Sequence, residues 1–195
     1  MGRLTRRSPR TYRFNRMAVV RRATLEDATA LAHVHVAAWQ AAYRGVMTDA
    51  FLDGLDVRQW AERWRQTLGG TRGPEHTPET VLVVEHEGGP PLGFAMTGPE
   101  RQPSPLSRPR GELWAINIAP EAWGRGLGRV LLRAAEQALS DAGHRDAILW
   151  VVAANTRARR FYEQSGWDAD GAEKRDARPG FEVHEVRYAR GLRPV

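Results

Sequence analysis

The chain of 195 residues contains no cysteine, which excludes disulfides, thiolate metal sites and cysteine nucleophiles together and suits a reducing compartment such as the cytoplasm. No apolar run approaches the ~20 residues that a membrane-spanning helix needs, so no membrane partner is expected. Lysine is almost absent, with Lys174 alone among 29 basic residues. The formal charge of +6 invites a nucleic-acid reading until the charges are located along the chain. Residues 1–16 hold Arg3, Arg6, Arg7, Arg10, Arg13 and Arg16 and no acid, and without them 23 basic side chains face 23 acidic ones. The body is formally neutral, so nucleic-acid binding could reside only in that arm. The arm has no apolar core of a signal peptide. With Met17 directly before MAVVRRAT, it reads as a basic, disordered extension of one domain spanning 17–195.

Hydrophobic spacing organises that domain. Val19–Ala23 reads as a strand, and Thr24 followed by Asp27 resembles a capping box that opens a helix to about Arg44. Leu31, Val34, Ala38, Trp39 and Tyr43 recur there at three- and four-residue steps and share a face. A second helix is expected to bury Phe51, Leu52, Leu55, Trp60, Trp64 and Leu68 as one stripe. TVLVVE and PLGFAMTG flank turn-rich HEGGPP as an antiparallel hairpin, and the Pro-rich PERQPSPLSRPR reads as a disordered loop. ELWAINIAP is a strand stopped by Pro120. After a glycine run a helix is expected from about Leu127 to Ala142, then the buried strand AILWVVAA, a short helix from Asn155 to Gln164 ended by Gly166, and the alternating strand FEVHEVRYAR.

The glycine run is WGRGLGR, Trp123 to Arg129. Between a strand and a helix, glycines two apart let the chain turn tightly and expose successive N–H groups beside the positive end of the helix dipole, where phosphate fits. Arg129 stands where a dinucleotide fingerprint would need its third glycine, and the run has no Gly-Lys-Ser or Gly-Lys-Thr ending of a P-loop. His33 and His35 point to different sides of their helix, so no metal site is expected from them.

The whole order of strand, glycine turn, helix, apolar strand, Asn155, then Ala158, Phe161, Tyr162 and Gly166 resembles the GNAT family of N-acetyltransferases, over roughly Val19 to Arg190. INIAPEAWGRGLG resembles the family's acetyl-CoA pyrophosphate loop and NTRARRFYEQSGW its second cofactor motif, while HVAAWQAAYRG followed by FLDGLD resembles a frequent small bacterial branch. Trp123 stands where the family commonly has Gln or Arg. The resemblance implies an α/β GNAT fold: a single-domain mixed sheet of about seven strands, splayed at its centre and flanked by helices. It implies acetyl transfer from acetyl-CoA, as co-substrate and without metal, to a small-molecule or peptide amine by direct attack in a ternary complex. A non-catalytic or regulatory CoA-binding module is the alternative, and a homodimer is left open.

Residue by residue, the resemblance places the cofactor on Trp123, Gly124, Arg125, Gly126, Leu127, Gly128 and Arg129, on the backbone of Ile116 and Ile118, and on Asn155, which could also simply cap the next helix. Arg159, among Arg157, Arg159 and Arg160, is placed near the 3′-phosphate, although these arginines could equally be a solvated helix face. Glu112 falls where several members place a general base, the other reading being an exposed strand-end glutamate. Tyr162 becomes the acid that protonates the departing thiolate, the other reading being a half-buried aromatic, with Phe161 facing the core. Trp39 and Tyr43 lie on the acceptor side.

Overall fold

The computed structural model describes residues 12–13, 18–71, 73, 78–86, 88–103, 108–178 and 181–192. Eight strands form one sheet in the order β1-β2-β3-β4-β5-β6-β8-β7. β1 (Tyr12–Arg13) and β2 (Ala18–Arg22) pair antiparallel. These two residues of the expected 1–16 extension therefore belong to the sheet edge, and the rest of that extension lies outside the described residues. β3 (Thr80–His86) and β4 (Pro91–Pro99) form the expected hairpin, covered on both faces, so that the adjacent residues Val83 and Val84, and Phe94 and Ala95, are all without solvent exposure. A side chain the size of Phe94 stabilises the fold by about 1.5–3 kcal/mol when fully buried.

β5 (Gly111–Ile118) runs antiparallel to β4 and parallel to β6 (Asp146–Val152). This parallel contact covers only Gly111–Leu113 opposite Ala147–Leu149. At the same point the β4–β5 register shifts: Thr97 faces Leu113 and Met96 faces Ala115, so Trp114 is an extra, bulged residue. A bulge bends its strand and increases the local twist. Beyond it β5 stays with β4, β6 stays with β8 (Phe181–Gly191), and the sheet splays.

Helices cover both faces. Thr24 N–H donates to Asp27 Oδ2 at 2.7 Å, the reciprocal half of the expected capping box, ahead of α1 (Ala28–Ala42). The single second helix expected from Phe51 to Leu68 is instead two, α2 (Asp49–Asp53) and α3 (Val57–Leu68). The break follows from Gly54 ending the first and the Asp56 carboxylate accepting from Arg58 N–H to cap the second. Phe51 consequently leaves the buried stripe and is 37% exposed. His35 of α1 stacks toward Phe94, whereas Gly128 of α4 (Leu127–Asp141) lies by Ile118, whose side chain meets Gly93. Because Gly93 and Phe94 point to opposite faces, α1 and α4 sandwich the sheet. α5 (Thr156–Glu163) follows β6.

β7 (Asp168–Arg178) pairs antiparallel with β8 and is a strand that the sequence reading did not anticipate. Among the described residues no helix is long and apolar enough to cross a membrane, and no cluster of three His, Asp or Glu side chains could hold a metal ion.

Candidate active site

The glycine run forms the turn between β5 and α4. Gly124 and Gly126 adopt φ of 75° and 80°, the left-handed region that favours glycine, and nothing lies within 4 Å of where their Cβ atoms would stand. Among the described residues, the N–H groups of Gly124, Arg125 and Gly126 donate to no protein acceptor, while Arg129 and Val130 N–H both turn back to the Gly126 carbonyl. Three free N–H donors, the positive end of the α4 dipole and the exposed Arg125 and Arg129 make an anion site. Gly128 serves packing instead, since its helical backbone passes the Phe161 ring, 3.5 Å from the missing Cβ.

The splay opens directly onto this turn. Ala115 to Ile118 pair with β4 alone, so the other backbone edge of this segment, which includes half-buried Ile116 and Ile118, has no strand partner among the described residues. The strand end is clamped to the turn by Trp123, whose indole N–H donates to the Ile118 carbonyl at 2.7 Å. The Arg157 guanidinium lies 3.7 Å over the Trp123 ring, a cation–π contact that joins α5 to the loop.

The far wall comes from the end of β6 and from α5. Asn155 caps α5 by accepting from Ala158 N–H at 3.0 Å, and its side chain lies by the Tyr43 hydroxyl. Tyr162 is buried at 7% exposure, with its ring 6.2 Å from Tyr188 and 6.4 Å from Trp167. Burial, with a smaller contribution from nearby Tyr43, pushes its phenol above the ordinary tyrosine range. The expected facing of the FY pair is thus reversed: Tyr162 is the buried ring, and Phe161 is the partly buried one, against the first turn of α4.

Trp39 and Tyr43 pack against a second buried cluster formed by Met47, Leu52, Val152 and Val183. Trp39 lies 5.4 Å from Tyr43 and 6.4 Å from Phe51, and Phe51 lies 5.0 Å edge-on from Phe181.

Residues 33–167 match the Acetyltransferase (GNAT) family. The chain belongs to this family. A relative in Bacillus subtilis (strain 168), named "Uncharacterized N-acetyltransferase YuaI", is 31% identical over 172 residues, covering 88% of each chain. The GNAT fold is shared with paia N-acetyltransferase from Thermoplasma acidophilum, solved in complex with coenzyme A, at a TM-score of 0.66 and 18% identity over 89% of this chain and 98% of that one. It is shared too with yncA from Salmonella typhimurium, solved with its cofactor acetyl-CoA, at a TM-score of 0.62 and 19% identity over 91% and 95% of the two chains.

Within this GNAT frame one expected site residue is engaged away from the splay. Glu112, considered as a base, is 1% exposed. Its carboxylate accepts from Arg101 N–H at 2.9 Å and from Arg101 Nε at 2.9 Å, with Nη2 of the same guanidinium on the same oxygen. It fastens the start of the β4–β5 loop, before the bulge, while the splay lies after it. A buried carboxylate so engaged is not placed to meet an amine. Arg159, expected near the 3′-phosphate, donates from Nε to the Tyr188 hydroxyl at 3.1 Å.

Arg157 was not among the expected cofactor residues. It stood undistinguished among three helix arginines, and its stacking on Trp123 depends on how α5 docks.

Proposed function

We propose that this GNAT acetyltransferase takes its acetyl group from acetyl-CoA and passes it to a primary amine of a small-molecule or peptide acceptor by direct attack in a ternary complex. The observation that carries the reading is the continuity of the three free N–H donors of Gly124–Gly126 with the unpaired edge of Ile116–Ile118. One end suits a pyrophosphate and the other an extended amide chain.

The donor supplies an activated thioester. Arg125, Arg129 and Arg157 neutralise phosphate charge, the Ile116 and Ile118 backbone groups hold the pantetheine arm, and an N–H of this edge faces the developing oxyanion. The acceptor enters from the side of Trp39 and Tyr43. Its ammonium first loses a proton to water, its nitrogen then bonds to the thioester carbon, the C–S bond breaks, and the proton the nitrogen sheds on becoming an amide returns through water to the Tyr162 phenolate. Tyr162 is the proton source for the leaving sulfur: a tyrosine phenol is protonated at neutral pH even at its ordinary pKa of ~10, and burial raises it further.

Acetyl-CoA should raise the melting temperature, because it binds only the folded turn, and amine should then release free thiol. Gly126→Val forces a β-branched residue into left-handed backbone and should abolish the thermal shift. A shift without amine-dependent thiol release would mark a binding module. An undiminished shift in Gly126→Val would remove the turn from the cofactor site.

A further inference from the structure

Lys174 is the only lysine among 29 basic side chains. A guanidinium stays protonated throughout the neutral range, whereas a lysine amine can lose its proton and attack an acyl carbon. Strand register sets where this one amine lies. Lys174 stands opposite Glu185, and Glu185 opposite Val152, and directly paired residues project from the same face of a sheet. Tyr43 packs on the cluster that contains Val152, so Lys174 is on the face from which the acceptor is proposed to enter.

From β7 the Lys174 side chain reaches inward along the sheet, and its ammonium lies 4.3 Å over the Trp150 ring. The last β5–β6 pair is Leu113 with Leu149, which makes Trp150 the first β6 residue at the splay. The ammonium therefore rests at the mouth of the opening along which Ile116 and Ile118 present their unpaired edge. It lies 3.2 Å from Glu185 Oε2, a carboxylate placed to take its proton. The lysine side chain is 31% exposed, and its four-carbon stem is flexible.

We infer that the chain acetylates itself at Lys174. This rests on the acetyl-transfer reading above and adds to it an acceptor within the chain. The Lys174 ammonium gives one proton to Glu185, its nitrogen bonds to the thioester carbon, the C–S bond breaks, and the leaving sulfur takes the Tyr162 proton. The nitrogen sheds a second proton on becoming an amide, which returns through water to the Tyr162 phenolate, and Glu185 passes its proton to solvent. The products are Nε-acetylated Lys174 and free coenzyme A. The neutral amide can neither pair with Glu185 nor hold the cation–π contact on Trp150, so the modification removes a positive charge from the acceptor side of the splay.

The test is peptide mapping by mass spectrometry of the full chain after incubation with acetyl-CoA and no added amine. Wild type should gain one acetyl group, on Lys174, at a rate that does not depend on protein concentration, as an acceptor within the same molecule requires. Glu185→Gln should slow the labelling about a hundredfold by removing the proton acceptor. Tyr162→Phe should slow it about ten- to a thousandfold, and Gly126→Val, which loses the phosphate turn, should show none. Equal labelling in wild type and in both Tyr162→Phe and Gly126→Val would be uncatalysed acylation by the free thioester and would overturn the inference. So would labelling confined to another site, a rate that rises with protein concentration, or an undiminished rate in Glu185→Gln. No label on Lys174 in a wild type that releases thiol with a free amine such as phenethylamine would overturn it while leaving acetyl transfer standing. No label and no thiol release with any amine would remove the acetyl-transfer reading, and this inference with it.

Discussion

Trp123 donates its indole N–H to the carbonyl of Ile118 at 2.7 Å, tying the last residue of β5 to the glycine turn five residues on. The bond links the two halves of the cofactor site, and the same ring carries Arg157 at 3.7 Å. Trp123→Phe keeps a ring for Arg157 but leaves the Ile118 carbonyl without its indole partner. A neutral hydrogen bond contributes about 0.5–1.5 kcal/mol, so acetyl-CoA should bind about two- to tenfold more weakly. Calorimetric titration checks this, and an unchanged Kd would mean that the turn holds its shape without the clamp.

Glu112 should behave as a structural residue. Glu112→Gln loses charge-assisted hydrogen bonds to Arg101, each worth about 1.5–3 kcal/mol when to a charged group, so the melting temperature should fall. The kcat of the folded enzyme should stay within about tenfold of wild type, since a general base contributes a hundredfold or more. A larger fall in kcat with stability intact would restore Glu112 as the base.

His35 makes acid stability sensitive to one proton. Its ring is 3.7 Å from that of Trp60 and lies near Trp39, Trp64 and Phe94, and neither ring nitrogen has a hydrogen-bond partner among the described residues. Burial, with the charge of Arg63 second, pushes its pKa down to about 3. In the unfolded chain histidine titrates near ~6.5. Between these values the unfolded state binds the extra proton, so stability falls as pH drops from about 6.5 toward 3. Denaturant melts across this range should show a shallower decline for His35→Leu than for wild type, and parallel declines would place the acid sensitivity elsewhere.

Local signals carried much of the fold. The Thr24–Asp27 pair, the apolar runs of β3 and β4 on either side of a turn-rich segment and the spacing of α4 each depend on neighbours in sequence, and each was legible. β7 was not: DADGAEKRDAR has few apolar residues, and its strand is held by the β8 ladder at the sheet edge, where polar residues are tolerated. The glycine turn was legible because left-handed backbone selects glycine, whereas the partners of Glu112 and Arg159 are tertiary. Arg101 reaches Glu112 across a loop, and Tyr188 meets Arg159 from another strand. Spacing along the chain holds no record of either.

Acetyl transfer with Tyr162 as proton donor is tested most directly by single-turnover thiol release from acetyl-CoA, with phenethylamine, spermidine and an unmodified lysine-containing peptide offered in turn to wild type and Tyr162→Phe. The variant keeps the buried ring and removes only the hydroxyl. Amine-dependent release in wild type, slowed about ten- to a thousandfold in Tyr162→Phe with the acetyl-CoA Kd unchanged, is the expected result. Equal rates in the two proteins, or no amine-dependent release in wild type, would contradict it.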